Sequence, residues 1–138
     1  PGKDRKMKLY EKIKVVLKRK HAVSKPLGAT FTKLNQIIKG WINYFKIGNM
    51  KPFLEKFGQW LRHKIRVIII KQWKITSRIY TNLQRLNKAF KCNFDDESIY
   101  KVANSRLGWY KRSGMDVVNY LLNHKVLEIA NKKRVDQD

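Results

Sequence analysis

The residues of this sequence best able to do chemistry are its basic side chains and the rings set among them. Five groups stand out: Lys18-Arg19-Lys20; Arg62-His63-Lys64 with Arg66; Lys71, Lys74 and Arg78; Lys111-Arg112; and Lys132-Lys133-Arg134. Trp60 precedes the second, Trp73 lies within the third, and Trp109-Tyr110 precede the fourth. Guanidinium and ammonium groups bind phosphate oxygens, and aromatic faces stack on bases or sugars. Lys and Arg number 32 against 10 Asp and Glu, a net charge of +22. Such an excess repels itself in a compact chain, and a polyanion relieves it while shedding condensed counterions. The expected partner is therefore a nucleic acid. The plainer alternatives are a solvated charged face or a helical bundle that meets only an acidic protein.

Catalysis is not expected of these residues. A polymerase or nuclease needs carboxylates converging on divalent metal. The only acidic cluster is Asp95-Asp96-Glu97, and consecutive helical residues point apart. Those acids suit a helix N-terminus instead, where the backbone dipole favours negative charge. His21, His63 and His124 are too far apart in sequence to form a metal-ligand pair. Cys92 is the single cysteine, so neither a disulfide framework nor a CxxC zinc pair is available, and a reducing compartment fits. No Gly-rich phosphate loop is present. The expectation is a non-enzyme without metal, cofactor or small-molecule substrate. The longest apolar run, 67–70, is far short of a membrane span. The chain opens Pro1-Gly2-Lys3-Asp4, without Met or a signal-like apolar stretch, as expected of a segment cut from a longer reading frame.

Elements must position these groups, and the periodicity is helical throughout. Hydrophobic residues make up 43% of the 138, enough for a real core. Leu9, Ile13, Val16 and Leu17 stripe a first helix over 4–20, and the stretch 21–26 breaks it before Pro26. Phe31, Leu34, Ile37, Ile38, Trp41, Ile42 and Phe45 stripe a second over 30–46, with Thr30 as its cap and Gly48-Asn49 as its end. A third starts near Pro52 and continues to Trp73, with Phe53, Leu54, Phe57, Trp60, Leu61, Ile65 and Ile68 as its apolar face. Thr76 or Ser77 is placed to cap a fourth carrying Ile79, Leu83, Leu86 and Phe90. Asp95 to Glu97 open a fifth with Ile99, Val102 and Ala103. Gly108 marks a break, and Val117, Val118, Leu121 and Leu122 suit a sixth. From Asn131 the tail is polar and expected to fray. Composition shifts near Ser77. The fold class is all-α: a three-helix bundle over 1–76, a smaller helical lobe over 77–130 and a polar tail over 131–138.

On the third helix Arg62 and Arg66 fall one turn apart, and with Lys74 they face away from Trp60, Leu61, Ile65 and Ile68. Their separation of about 6 Å approximates the step between phosphates along a strand. This helix is the one expected to lie along a backbone, with His63 and Lys64 contributing. Trp41 and Trp60 read as core; Trp73 and Trp109 suit packing and stacking equally.

The segment Leu34-Asn35-Gln36-Ile37-Ile38-Lys39-Gly40-Trp41-Ile42-Asn43-Tyr44-Phe45 resembles the maturase-specific motif of group II intron-encoded reverse transcriptases. That motif reads Leu-Asn, then Arg or Lys-Gly-Trp, then Asn-Tyr-Phe. The spacing onward to Phe57, Trp60, Leu61, Arg62, Arg66 and Lys71-Gln72-Trp73-Lys74 is similar. Gly108-Trp109-Tyr110-Lys111-Arg112-Ser113 resembles a later Gly-Tyr-Trp-Arg-x-Ser block, and 121–127 its following helix. Lys39 stands for the more usual Arg, and Tyr110-Lys111 for Trp-Arg. The resemblance, over about 34–127, implies the thumb or X domain and the start of the DNA-binding region. It implies a fragment that binds intron RNA during splicing and RNA–DNA or DNA duplex during reverse transcription, in a bacterial cytoplasm. The Tyr-Ala-Asp-Asp site, for which the parent polymerase would use Mg2+, is not in this chain. The expected contact residues are Lys39, Arg62, His63, Lys64, Arg66, Lys71, Lys74, Arg78, Lys111 and Arg112. Trp41, Tyr44, Phe45 and Trp60 are expected to form a structural aromatic core. The alternative is a helical DNA-binding module of a mobile element, which the break at Gly108 between two short helices permits.

Overall fold

The computed structural model describes residues 2–46 and 49–137, and the side chains of 3–46 and 49–130. The helices are α1 (Gly2–Val16), α2 (Arg19–Ala22), α3 (Leu27–Lys39), α4 (Ile42–Phe45), α5 (Lys51–Trp73), α6 (Thr76–Ala89), α7 (Asp96–Ala103), α8 (Trp109–Ser113) and α9 (Asp116–Gln137). No strand occurs among the described residues, and the fold is all-α.

Local chemistry explains where the helices stop, and several boundaries differ from the expected ones. Lys18, with ψ at 119°, separates α1 from α2, so the helix expected over 4–20 is two. Pro26, not Thr30, precedes α3, with φ −59° and ψ 139°. Proline lacks an N–H to satisfy and its fixed φ leads into a helix, so the helix starts three residues earlier. Thr30 is instead buried in the first turns, its hydroxyl reaching back 3.5 Å to the Pro26 carbonyl. The helix expected over 30–46 breaks after Lys39, at Gly40-Trp41. Glycine disfavours a helix interior by about 1 kcal/mol, and the break lets Trp41 pack on the core with Phe45. Gly48, expected to help end that helix, lies outside the described residues.

α5 is the axis of the molecule. Pro52 sits in its first turn, and 23 residues give a rod of about 35 Å. Its N-terminal half meets α1 through Tyr10, whose ring packs edge-on against Phe53, Phe57 and Trp60 at 6.1, 5.4 and 4.7 Å. Its C-terminal half is covered by α8 and α9, and every residue from Ile65 to Ile70 is buried. A helix that is apolar all round must be enclosed, and Val67, Ile69 and Ile70 join the expected face of Ile65 and Ile68 inside. Gln72 Nε2 ties the end of α5 to the turn before α3, donating to the carbonyls of Ala22 (3.2 Å) and Lys25 (2.8 Å).

One hydrophobic cluster runs across the boundary expected at 76/77. Leu9, Leu34 and Ile69 from one side share it with Ile79, Ile99, Val118, Leu121 and Leu122 from the other. α9 packs on α3, α5, α6, α7 and α8, so among the described residues the later helices complete the core of the earlier ones. The last helix runs to Gln137, where a frayed tail was expected from Asn131. The acidic run opens α7 as anticipated. Asp95 accepts from the Ser98 backbone N–H at 2.8 Å, and the Ser98 hydrogen bonds hold its carboxyl below the usual value. Neither Thr76 nor Ser77 caps α6; the residue before it is Ile75, with extended backbone and no side-chain cap.

Candidate nucleic-acid interface

The basic residues of α5 do not share one face. Arg62 is half-buried, and its guanidinium lies back along the helix over Gly58, where an added Cβ would come within 3.1 Å of Nη1. It borders an open groove of about 620 Å³ with Lys51, Leu54, Glu55 and Gln59. Lys64 and Lys71, seven residues apart, fall on one side of the helix, and Arg62 is roughly 160° away from Lys64. Both lysines are half-buried, and the Lys64 ammonium lies 5.9 Å from the centre of the Trp60 ring.

Arg66 corrects the expected pairing with Arg62. It is 5% exposed, its Nε donating to the Ser113 carbonyl at 3.0 Å and its Nη1 to Asn123 Oδ1 at 2.7 Å. In Ile65-Arg66-Val67-Ile68-Ile69-Ile70 five of six residues are aliphatic, and α8 and α9, from distant parts of the chain, bury the whole segment and Arg66 with it. Burial draws the guanidinium below its ordinary pKa, and nearby Arg62 adds to this. Arg66 thus fastens three helices together and is not a surface contact.

His63 is likewise engaged within the protein. Its ring stacks on Tyr110 at 3.7 Å and 16°, and its Nε2 lies 2.8 Å from the Tyr110 carbonyl. A carbonyl only accepts, so Nε2 carries the proton. Burial lowers the His63 pKa most, with Arg66 and Lys64 adding repulsion and the Tyr110 bond opposing them. The unfolded chain then takes up a proton more readily than the folded one. The resulting stability is present above the ordinary value of 6.5 and is lost as pH falls through the lower folded value. Urea titrations between pH 7.5 and 5 are expected to show that decline in the wild type and a flatter profile in His63→Gln. Equal profiles would remove His63 from the pH dependence.

Arg112 is also turned inward. Its Nη2 donates to the Ser105 carbonyl, its guanidinium lies 5.0 Å from the Trp109 ring centre, and its Nε is buried without a partner. Burial lowers its pKa. Lys111 beside it is exposed, as are Lys39, Lys74 and Arg78. Lys74 joins α5 to α6 with φ 70° and ψ −64°, and the Ile75 N–H donates to the Trp73 carbonyl at 2.8 Å. This is a γ-turn of the rarer hand, which is strained for a residue with a side chain. Lys18, Arg19 and Lys20 are exposed at the α1–α2 junction; the side chains of 132–134 lie outside the described residues.

The aromatic residues Trp41, Tyr44, Phe45 and Trp60 belong to one half-buried belt. Trp41 meets Tyr44 and Phe45 at 5.4 and 6.4 Å, Phe45 meets Phe53 at 6.2 Å, and Phe53 leads through Phe57 to Trp60. Cations border it: Arg5 lies 5.5 Å from the Tyr44 centroid and Lys6 4.9 Å from that of Phe53.

Two juxtapositions do not follow from the sequence. Ser113 and Asn123 are partners of Arg66, which a basic residue stranded in an aliphatic run could have signalled. A groove between α6 and α7, faced by Tyr80 and Tyr100, joins residues twenty apart with no shared motif. Among the described residues no three His, Cys, Asp or Glu side chains converge as a metal site. No helix there is long and apolar enough to cross a membrane.

No curated protein matches the chain. The sequence model of the family described as "Group II intron, maturase-specific domain" matches residues 6–87. That interval takes in α1 from Lys6 onward, α2 to α5 complete, and α6 to within two residues of its end. The Gly108–Ser113 block lies beyond it. With more than half of its residues inside that match, including the Lys39-Gly40-Trp41 and Asn43-Tyr44-Phe45 motif, the chain belongs to the group II intron maturase-specific domain family.

Proposed function

We propose that the chain is the RNA-binding maturase and thumb segment of a group II intron reverse transcriptase. It holds intron RNA during splicing and template–primer duplex during reverse transcription. It acts without a catalytic site or cofactor of its own, beside a polymerase centre that would use Mg2+, in the bacterial cytoplasm. The observation that carries this reading is the surplus of cations left without carboxylate partners on helices of the matched family. Among the described residues two ion pairs form, Lys14–Glu11 and Lys101–Glu97, each at 3.4 Å and exposed. Exposed pairs of this kind contribute about 0–1 kcal/mol, so among the described residues the exposed cations remain to meet phosphate.

Lys64 and Lys71 on one side of α5, about 10 Å apart along the helix, followed by Lys74 and Arg78 at the α5–α6 corner, are the positions most suited to phosphates along one strand. Arg66 and Arg112, held inside, serve as anchors of the scaffold. Removing one phosphate-binding cation lowers the slope of log affinity against log salt by about 0.7–0.9. The double variant Lys64→Glu, Lys71→Glu is therefore expected to weaken binding to folded intron RNA at least tenfold near 0.1 M salt and to flatten that slope. Filter binding across a salt series measures both. An unchanged slope would exclude this strip. Equal affinity of the wild type for folded intron RNA and for arbitrary duplex DNA at every salt would exclude RNA recognition itself.

A further inference from the structure

The groove between the start of α6 and the end of α7 begins at Ile75, immediately after the Lys74 corner that ends α5. Its volume is about 740 Å³, lined by Ile75, Thr76, Ser77, Tyr80, Tyr100 and Asn104. That falls among small-ligand sites, which run from about 300 to 1,000 Å³. Tyr80 and Tyr100 meet edge to face, with centroids 6.0 Å apart and planes at 83°. One wall is fixed: the Tyr80 hydroxyl accepts from Gln84 Nε2 at 2.8 Å, and the same nitrogen lies 3.1 Å from Asp96 Oδ1 on α7. The other wall is open, with Tyr100 58% and Ile75 49% exposed. Asn104 donates through Nδ2 to the Tyr100 carbonyl at 2.9 Å, which leaves its Oδ1 as an acceptor at the rim. Thr76 and Ser77 add hydroxyls.

Charge selects the occupant. Among the described residues no carboxylate lines this groove; Asp96, behind Tyr80, is held by Gln84, and exposed Lys74 and Arg78 flank the lining residues Ile75 and Ser77 in sequence. Lys101, next to Tyr100, is occupied by Glu97. A planar apolar ligand that carries its own negative charge satisfies both the ring and the cations. A base in a duplex has its faces covered by its neighbours, whereas an unpaired base can stack on an aromatic side chain.

We propose that this groove takes one unpaired base of single-stranded RNA, stacked on Tyr100, with the adjoining phosphate at Lys74 and Arg78. The inference rests on the RNA-binding reading and adds to it a site for a flipped or looped nucleotide, with the Asn104, Thr76 and Ser77 polar atoms meeting the base edge.

The test uses the full chain and a short single-stranded RNA carrying one 2-aminopurine, alongside folded intron RNA. Wild type and Tyr100→Phe are expected to quench the 2-aminopurine emission on binding. Tyr100→Ala is expected to abolish that quenching and to bind the single strand about 5- to 150-fold more weakly, the effect of removing one stacking ring. The ring carries no charge, so the salt slope stays at the wild-type value, unlike that of the lysine double variant. Tyr100 is exposed, and a wild-type melting curve for Tyr100→Ala separates weakened stacking from impaired folding; Tyr100→Phe supplies the same control by rescue. Unchanged affinity in Tyr100→Ala, or absence of quenching in the wild type, overturns the proposal, as a groove built for a protein segment would do. If folded intron RNA still binds in that case, only the groove assignment fails. If neither RNA binds the wild type, the RNA-binding function itself fails with it.

Discussion

Replacing Arg66 by Ala is expected to destabilise the protein by about 2–4 kcal/mol, the cost of leaving buried acceptors without their charged donor. The Ser113 carbonyl and Asn123 Oδ1 would lose their bonds of 3.0 and 2.7 Å, and Ser113 is itself fully buried. A cavity the size of the guanidinium stem would add to the loss. Arg66→Lys should recover only part, because an ammonium cannot reproduce the planar fork that reaches two acceptors in different helices. Arg66→Glu is expected not to fold cooperatively, since it would place a carboxylate against two acceptors. Urea denaturation measures the change as a lower midpoint at unchanged slope. If Arg66→Ala kept the wild-type midpoint and lost only RNA affinity, Arg66 would belong to the surface and the packing of α8 and α9 on α5 would be wrong. On an exposed face the same substitution would change stability by less than about 0.5 kcal/mol, so the two placements predict clearly different curves.

A chain cut after Lys91, which keeps every residue of the family match, is expected to lose cooperative folding. The removed helices contribute Ile99, Val102, Val117, Val118, Leu121, Leu122 and Val126, all buried. At about 1.5–3 kcal/mol for each buried aliphatic side chain, they supply on the order of 10 kcal/mol or more. The net stability of a domain is about 5–15 kcal/mol. The cut also bares the flank of α5 where Ile68, Ile69 and Ile70 are now at most 1% exposed. The shortened chain should bind a hydrophobic dye, lose its near-ultraviolet dichroism and melt without a sharp transition. A sharp melt at the wild-type temperature would show that residues up to Lys91 form a domain by themselves.

The surface cations and the inward-turned ones differ in what local sequence fixes. Helical class, the long rod from Lys51 to Trp73, the cap at Asp95 and the cationic surplus follow from local chemistry: periodicity, proline and glycine placement, the helix dipole and composition. The aromatic motif at Gly40-Trp41 and Asn43-Tyr44-Phe45 is likewise a string of neighbours and could be read as one. Each of these depends on residues a few positions apart, and so the one-dimensional order carries it.

What decided the roles of Arg66 and His63 was distance along the chain, whereas Arg112 turns to Ser105 and Trp109 only seven and three residues away. Helical spacing puts Arg66 one turn from Arg62 in any α-helix, but it does not say what lies beside that turn. Ser113 and Tyr110 are 47 residues from Arg66 and His63 respectively, and Asn123 is 57 from Arg66; α8 and α9 arrive there only because the aliphatic run 65–70 has to be covered. The same closure joins residues from both sides of position 76 in one hydrophobic cluster, and the packing of α7 on α6 brings Tyr80 beside Tyr100. Sequence determined which residues are cationic, aromatic and helical. Tertiary packing determined which cations remain at the surface, because burial depends on neighbours that only the folded chain brings together.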